Sequence, residues 1–106
     1  MHVTVRVADD AQGAIDGWLA STAGRRAVLV EGAFVPLAVP VDVALTRLPT
    51  GCPCCSGLVP LKVGITRAVR AARPDSVLLV MAGSEHVERV RALFADGSLG
   101  ERFEID

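Results

Sequence analysis

Aromatic residues are scarce in this sequence, and the segments that mark a membrane or secreted protein are absent. Tyrosine does not occur, and one tryptophan and three phenylalanines are the aromatic residues of the 106. No apolar run approaches the roughly 18 residues that a membrane-spanning helix requires. The first residues lack the basic start and long apolar segment of a signal peptide. We therefore expect no membrane association and a cytoplasmic location.

An excess of charge of one sign is also missing. The formal net charge is −1, and 22% of the residues are charged. A near-neutral chain lacks the basic surface that binds phosphate backbones, so nucleic acid is not an expected partner. The hydrophobic content of 51% excludes a disordered chain. The length suits one domain, which we predict to cover residues 1–106.

Short runs rich in valine and leucine alternate with amphipathic stretches along the chain. Strands are predicted at residues 3–7, 27–30, 44–48, 77–81 and 103–105, and helices at 10–23, 58–73 and 87–95. Residues 32–43, which contain two prolines, are predicted to be irregular. Strands alternating with helices indicate an α/β fold: an open, mostly parallel sheet flanked by helices.

The three cysteines lie within four positions, in the segment Gly51-Cys52-Pro53-Cys54-Cys55-Ser56-Gly57. Structural cysteines behave as small hydrophobic residues and need no mutual proximity. This cluster falls in a turn between a predicted strand and a predicted helix, where sites gather in α/β sheets. A helix N-terminus or a bound cation lowers the pKa of a thiol there. The cluster is therefore the candidate functional site.

A metal site is the first interpretation of the cluster. Thiolates are soft ligands that suit Zn²⁺ or Cu(I). Side chains of adjacent residues tend to point apart, so Cys52 with Cys54 or Cys55 is the easier first pair of ligands. One tight cluster does not readily complete a four-thiolate site, so a remote ligand, water or a second chain is needed. His86, expected at the same sheet edge, is the best nitrogen candidate, and Glu31 is a weaker candidate.

Other interpretations remain open. Cys52 and Cys55 form a C-x-x-C pair before a helix, as in thiol–disulfide redox proteins, although the third thiol is then unexplained. The cysteines can also be reduced thiols without a role, in a non-catalytic interaction domain. His86 can equally be a solvated residue in the first turn of a helix.

The cysteine segment resembles the CobW-like metallochaperone family of P-loop GTPases. That family has a G-C-x-C-C motif after a strand, followed by an amphipathic helix, a Pro-Asp pair and a buried strand. The matching order here is Gly51 to Cys55, then residues 61–73, Pro74-Asp75 and residues 77–81. The strand that ends at Glu31 also looks like the family's strand ending in glutamate. The likeness covers roughly residues 26–96 and implies a P-loop-like topology and metal binding.

The departures from the family concern the nucleotide. The segment after the first strand reads Ala8-Asp9-Asp10-Ala11-Gln12-Gly13, without G-x-x-x-x-G-K-[ST]. Asp9 and Asp10 would repel a triphosphate, the one lysine is Lys62, and no N-K-x-D motif occurs. The sequence thus predicts a degenerate family member that binds no nucleotide and is not an enzyme.

The expected function is transition-metal binding, with zinc as the first candidate and Cys52, Cys54, Cys55 and His86 as ligands. As the resemblance implies, the protein would buffer or deliver metal. Its expected partners are a second copy that shares the metal, a metal-dependent client protein, or a full-length GTPase relative.

Overall fold

The structure, a computed structural model, describes residues 2–7, 10–31, 37–48, 58–81, 87–95 and 104–105. Strands and helices alternate in the order β1 (His2–Val7), α1 (Ala11–Ser21), β2 (Arg26–Glu31), β3 (Ala44–Leu48), α2 (Leu58–Ala72), β4 (Ser76–Met81), α3 (Val87–Ala95) and β5 (Glu104–Ile105). Each of these elements was expected from the sequence, to within a few residues. None of the described helices has the length and apolar character needed to cross a membrane.

The strands form one five-stranded sheet in the order β3-β2-β4-β1-β5. Every pairing between neighbouring strands is parallel. The predicted parallel sheet flanked by helices is therefore confirmed. The chain moves along the sheet in one direction from β1 to β3 and in the other from β3 to β5. Right-handed crossovers in opposite directions place their connections on opposite faces of the sheet.

Two hydrophobic clusters, one on each face, hold these layers together. One cluster joins α2 and α3 to the sheet through residues such as Ile65 and Phe94. The other joins α1 and the segment before β3 to the opposite face through residues such as Ile15 and Val43. Strand β4 contributes to both clusters because its side chains alternate between the faces and residues 77–80 are all fully buried. Burial on both faces explains its continuous apolar sequence.

Helix α1 begins and ends through side-chain contacts. Asp10 is the N-cap, and its Oδ1 accepts a hydrogen bond of 3.0 Å from the Gly13 N–H. At the other end, the Arg26 guanidinium donates to the carbonyl oxygens of Leu19 and Thr22, both at 3.1 Å. A cation at this end also interacts favourably with the helix dipole. The arginine therefore fixes the end of α1 to the start of β2.

The turn after α1 uses a glycine. The sequence suggested Gly24 as the stop of the helix, but α1 ends three residues earlier, at Ser21. Gly24 instead adopts φ 86°, in the left-handed region that favours glycine. In that position it lies against Asp75, whose carboxylate accepts a 3.1 Å hydrogen bond from the Arg25 N–H.

Helix α2 ends in a left-handed residue that is not glycine. Arg73 has φ 45°, and its N–H donates to the Val69 carbonyl at 2.8 Å. This is the hydrogen bond that closes the last turn of many helices. Pro74 follows and cannot continue the helix, so α2 ends where the Pro-Asp pair predicted.

Strand β1 departs from its sequence pattern at two positions. Its alternation predicted apolar residues inside and polar residues outside. Thr4 is nevertheless buried at 4% exposure, whereas Val7 is 44% exposed. Thr4 lies in the middle of β1 and pairs with Leu78 of β4, whereas Val7 is the last residue of the strand.

Candidate functional site

The carboxyl ends of four strands lie in one row. Val7 of β1 pairs with Met81 of β4, Met81 pairs with Glu31 of β2, and Glu31 pairs with Leu48 of β3. Because the strands are parallel, the segments that follow these residues all begin at the same edge of the sheet. Adjacent strands are about 4.8 Å apart, so the whole row spans roughly 14 Å.

The predicted metal ligands follow this row in the sequence. Cys52, Cys54 and Cys55 come between Leu48 of β3 and the start of α2, and His86 comes between β4 and α3. All four lie outside the described residues, as does the side chain of Glu31. Their ligand roles therefore stay predictions.

The other histidine, His2, lies at the opposite edge of the sheet. His2 begins β1 and pairs in register with Ser76, the first residue of β4. Its Nδ1 lies 3.4 Å from Oε2 of Glu104 on β5. His2 is thus separated from the carboxyl edge by the length of β1, and it provides a natural control for His86.

The described part of the chain contains no group of three or more histidine, cysteine, aspartate or glutamate residues that could hold a metal. Several of its carboxylates have structural contacts instead. Asp10 caps α1, Asp75 binds the backbone of Arg25, and Asp42 lies 3.5 Å from the Arg26 guanidinium. The metal hypothesis therefore depends on the cysteine segment.

The N-terminus of α1 takes the place that a phosphate loop would need. In P-loop proteins, the backbone N–H groups at the start of the helix after the first strand bind phosphate. Here the Asp10 carboxylate already accepts from the Gly13 N–H. A carboxylate at this position satisfies the helix terminus with negative charge and opposes a second anion.

A groove between α1 and β1 was not anticipated from the sequence. Two adjoining cavities of about 290 and 430 Å³ share Arg6, Trp18 and Ser21 in their walls. The pattern that could have revealed the groove is the polar series His2, Thr4 and Arg6 on one face of β1. The β4 residues that pair with Thr4 and Arg6 are the apolar Leu78 and Val80, so the polar series on β1 stands beside an apolar one.

The exposed side of α2 is basic. It carries Arg67 and Arg70, with Lys62 half-buried before them and Arg73 exposed after the helix. The apolar stripe of this helix in the sequence predicts a polar face that contains Lys62, Thr66, Arg70 and Arg73. The structure agrees that Ile65 and Val69 face the core.

Comparisons with known proteins identify no relative of this chain. No protein-family model matches it, no curated protein is detectably similar, and no solved structure matches its fold.

Proposed function

We propose that this protein binds a transition metal, with Zn²⁺ as the first candidate, through the thiolates of Cys52, Cys54 and Cys55. The observation that carries the proposal is the alignment of the strand ends. A sequence segment with all three cysteines starts from Leu48 at the carboxyl edge, where α/β proteins bind ligands. Three independent structural thiols would have no reason to share one such segment.

Chain length allows His86 to complete the site. An extended residue spans at most about 3.6 Å, so Cys52 can reach roughly 14 Å from Leu48 and His86 roughly 18 Å from Met81. Leu48 and Met81 lie two strands apart, a separation of roughly 10 Å. The two reaches overlap amply, which supports His86 as the nitrogen ligand and leaves room for water or a second chain.

The local electrostatics favour thiolates. Helix α2 begins at Leu58, three residues after Cys55, and a helix N-terminus stabilises nearby negative charge. No acidic side chain lies in the first turn of α2. A thiolate is thus the negative group nearest in sequence to this helix end, and the thiolate is the form of cysteine that binds a metal.

We further propose a CobW-like protein that has lost nucleotide hydrolysis. The order β3, cysteine segment, α2, Pro-Asp and β4 agrees with the family resemblance. The acidic cap at the start of α1 is incompatible with the family's phosphate site. A protein of this kind would buffer metal or deliver it to a client, alone, as a metal-sharing dimer, or beside a GTPase relative.

Calorimetric titration with Zn²⁺ in two buffers of different protonation enthalpy tests the proposal. Binding should release up to about three protons as thiols become ligands. The substitution His86→Gln should weaken binding, by roughly 10-fold or more if the imidazole is a direct ligand. Its matched control, His2→Gln, removes the same group from the opposite edge of the sheet and should leave affinity unchanged.

Two results would contradict the proposal. Undiminished zinc affinity in a folded variant with serine at all three cysteine positions would exclude thiol ligands. Failure of the protein to bind zinc, together with reversible formation of a Cys52–Cys55 disulfide at a defined potential, would favour the redox interpretation.

A further inference from the structure

A strip of unpaired positive charge runs along α2. The strip, as we define it, consists of Lys62, Arg67, Arg70 and Arg73. No aspartate or glutamate occurs in the sequence between Asp42 and Asp75. The chain has a net charge of −1 and the strip carries four positive charges, so the remainder carries a net charge of −5. The strip is therefore a positively charged segment of a chain whose remaining residues carry a net negative charge.

The strip has no acidic partner within the described residues. The ion pairs found there join His2 to Glu104 and Arg26 to Asp42, and no strip residue takes part in them. A hydrogen bond at this surface is local to the helix: the Thr66 hydroxyl donates to the Lys62 carbonyl at 2.8 Å. Among the described residues, the four cations therefore form no ion pair.

The strip is also rigidly supported. Ile65 and Val69, on the side of α2 that packs on the sheet, are 0% and 3% exposed, whereas Arg67 and Arg70 lie on the exposed side and the half-buried Lys62 lies at the boundary. The helix rises about 1.5 Å per residue, so the strip extends over roughly 16 Å. Val63 lies among the cations and is 44% exposed. A partner would thus meet Arg67 and Arg70 with the exposed Val63 between them around the helix, and Lys62 and Arg73 at the margins.

Three classes of anionic partner differ in how well they fit this surface. A nucleic acid is a uniform polyanion, and the net charge of −5 on the rest of the chain opposes it. A membrane-surface helix inserts its apolar face, but the apolar face of α2 is already packed on the sheet. A short acidic segment of a protein can place its few negative charges against the strip alone, away from the acidic remainder of this chain. Its apolar side chains can contact Val63. The protein partner therefore fits best.

We propose that the exposed side of α2 is a docking surface for an acidic, partly apolar segment of another protein. This docking surface does not require the bound metal, so the docking proposal is independent of the proposed function and can be tested separately. If both hold, α2 begins three residues after Cys55, which would bring a docked protein close to the metal. Exposed charge pairs are individually weak, so we expect a transient, salt-sensitive complex.

The test uses a labelled 14-residue helical peptide of glutamate and leucine, with binding measured by fluorescence anisotropy at two ionic strengths. We expect saturable binding at low salt that weakens at higher salt. The double substitution Arg67→Gln/Arg70→Gln should reduce affinity roughly 5- to 10-fold, because two exposed charge pairs are lost. An all-glutamate peptide of equal length should bind less tightly, because it lacks the apolar contact with Val63.

The matched control lowers the net charge by the same amount as Arg67→Gln/Arg70→Gln, but on the helix that covers the opposite face of the sheet. The substitutions Gly17→Glu/Ala20→Glu lower it by two at exposed positions of α1, and a Cβ at Gly17 meets no atom within 4 Å. This variant should bind the peptide nearly as well as the parent. Equal weakening by both double variants would refute the strip as the binding surface and indicate a net-charge effect.

The same assay with other anionic ligands tests whether a protein segment is the preferred partner. Tighter binding of a 20-nucleotide oligothymidylate, or of phosphatidylserine vesicles, than of the peptide would overturn the choice of a protein partner. Absence of peptide binding at low salt would overturn the docking surface itself. A variant with serine at all three cysteine positions should bind the peptide like the parent, whatever the outcome of the zinc titrations.

Discussion

Two glycines one turn apart in α1 have different surroundings, and alanine should affect them differently. A Cβ at Gly17 would meet no atom within 4 Å. A Cβ at Gly13 would lie 2.5 Å from Oδ2 and 3.1 Å from Cγ of Asp10. Asp10 is the N-cap, and its other carboxylate oxygen accepts the Gly13 N–H at 3.0 Å. The added methyl group at Gly13 therefore displaces the cap, whereas the one at Gly17 occupies solvent.

The magnitudes follow from these contacts. Replacing glycine by alanine inside a helix stabilises by about 0.8–1.0 kcal/mol, so Gly17→Ala should raise the free energy of unfolding by nearly that amount. Gly13→Ala has the same backbone gain. It also weakens a cap worth about 1 kcal/mol, so the net change should be close to zero or negative. The two variants should therefore differ by about 1 kcal/mol.

Urea denaturation followed by circular dichroism measures both changes. Trp18, the only tryptophan, gives an independent fluorescence probe, although it adjoins Gly17. In an Asp10→Ala background the obstructing carboxylate is gone, and Gly13→Ala should regain the full benefit of alanine. Equal stabilisation by both substitutions in the native background would refute the reasoning, because it would mean that the Asp10 carboxylate moves aside without loss of capping.

Two further predictions concern contacts outside the candidate site. The Gln12 carboxamide donates to the Ala38 carbonyl and accepts from the Ala38 N–H, both at 2.8 Å, so Gln12→Ala should destabilise the protein by about 1–3 kcal/mol in urea denaturation. Gln12→Glu replaces the donor by a carboxylate oxygen facing the Ala38 carbonyl and Asp16, which accepts from the Gln12 amide at 2.9 Å, so it should lose at least as much at neutral pH. Stability equal to the parent in Gln12→Glu would argue against the two-bond contact. Arg73 adopts φ 45°, so Arg73→Gly should stabilise by up to about 1 kcal/mol in thermal unfolding, whereas Arg73→Val should destabilise. A lower melting temperature for Arg73→Gly than for the parent would contradict the left-handed backbone conformation at residue 73.

Much of the fold was predictable because its elements have strong local patterns. Residues 77–81 form an uninterrupted apolar run, which is typical of a strand covered on both faces, and β4 occupies the centre of the sheet. The apolar stripe of α2 at Ile65 and Val69 likewise predicted the side that packs on the sheet. Asp10 was recognisable as a cap from its position before α1.

Other features depend on distant contacts that leave no local pattern. The sequence predicted parallel strands but not that β4 lies between β1 and β2. The segment before β3 reads as irregular, yet Gln12 holds its backbone at Ala38 and Leu37 and Val39 pack against the core. The groove beside Trp18 arises from the way α1 lies across the sheet, which the sequence of either element alone does not specify.

The candidate site was drawn from the sequence, and the structure adds its framework. Cysteine spacing indicates soft-metal chemistry without reference to a fold. The strand register adds that Leu48 and Met81, which precede the cysteines and His86, end at the same edge. What a sequence cannot supply is the convergence of the side chains themselves, because that depends on loop conformation rather than on residue type.

The most direct test of the metal proposal is the metal content of protein purified without a metal-affinity column. Elemental analysis would compare the parent chain with a variant in which Cys52, Cys54 and Cys55 are all serine, and urea denaturation would verify that both are folded. The account predicts bound zinc or another soft transition metal in the parent, near one ion per chain or one per two chains, and none in the variant. Equal metal content in the two folded proteins would contradict it.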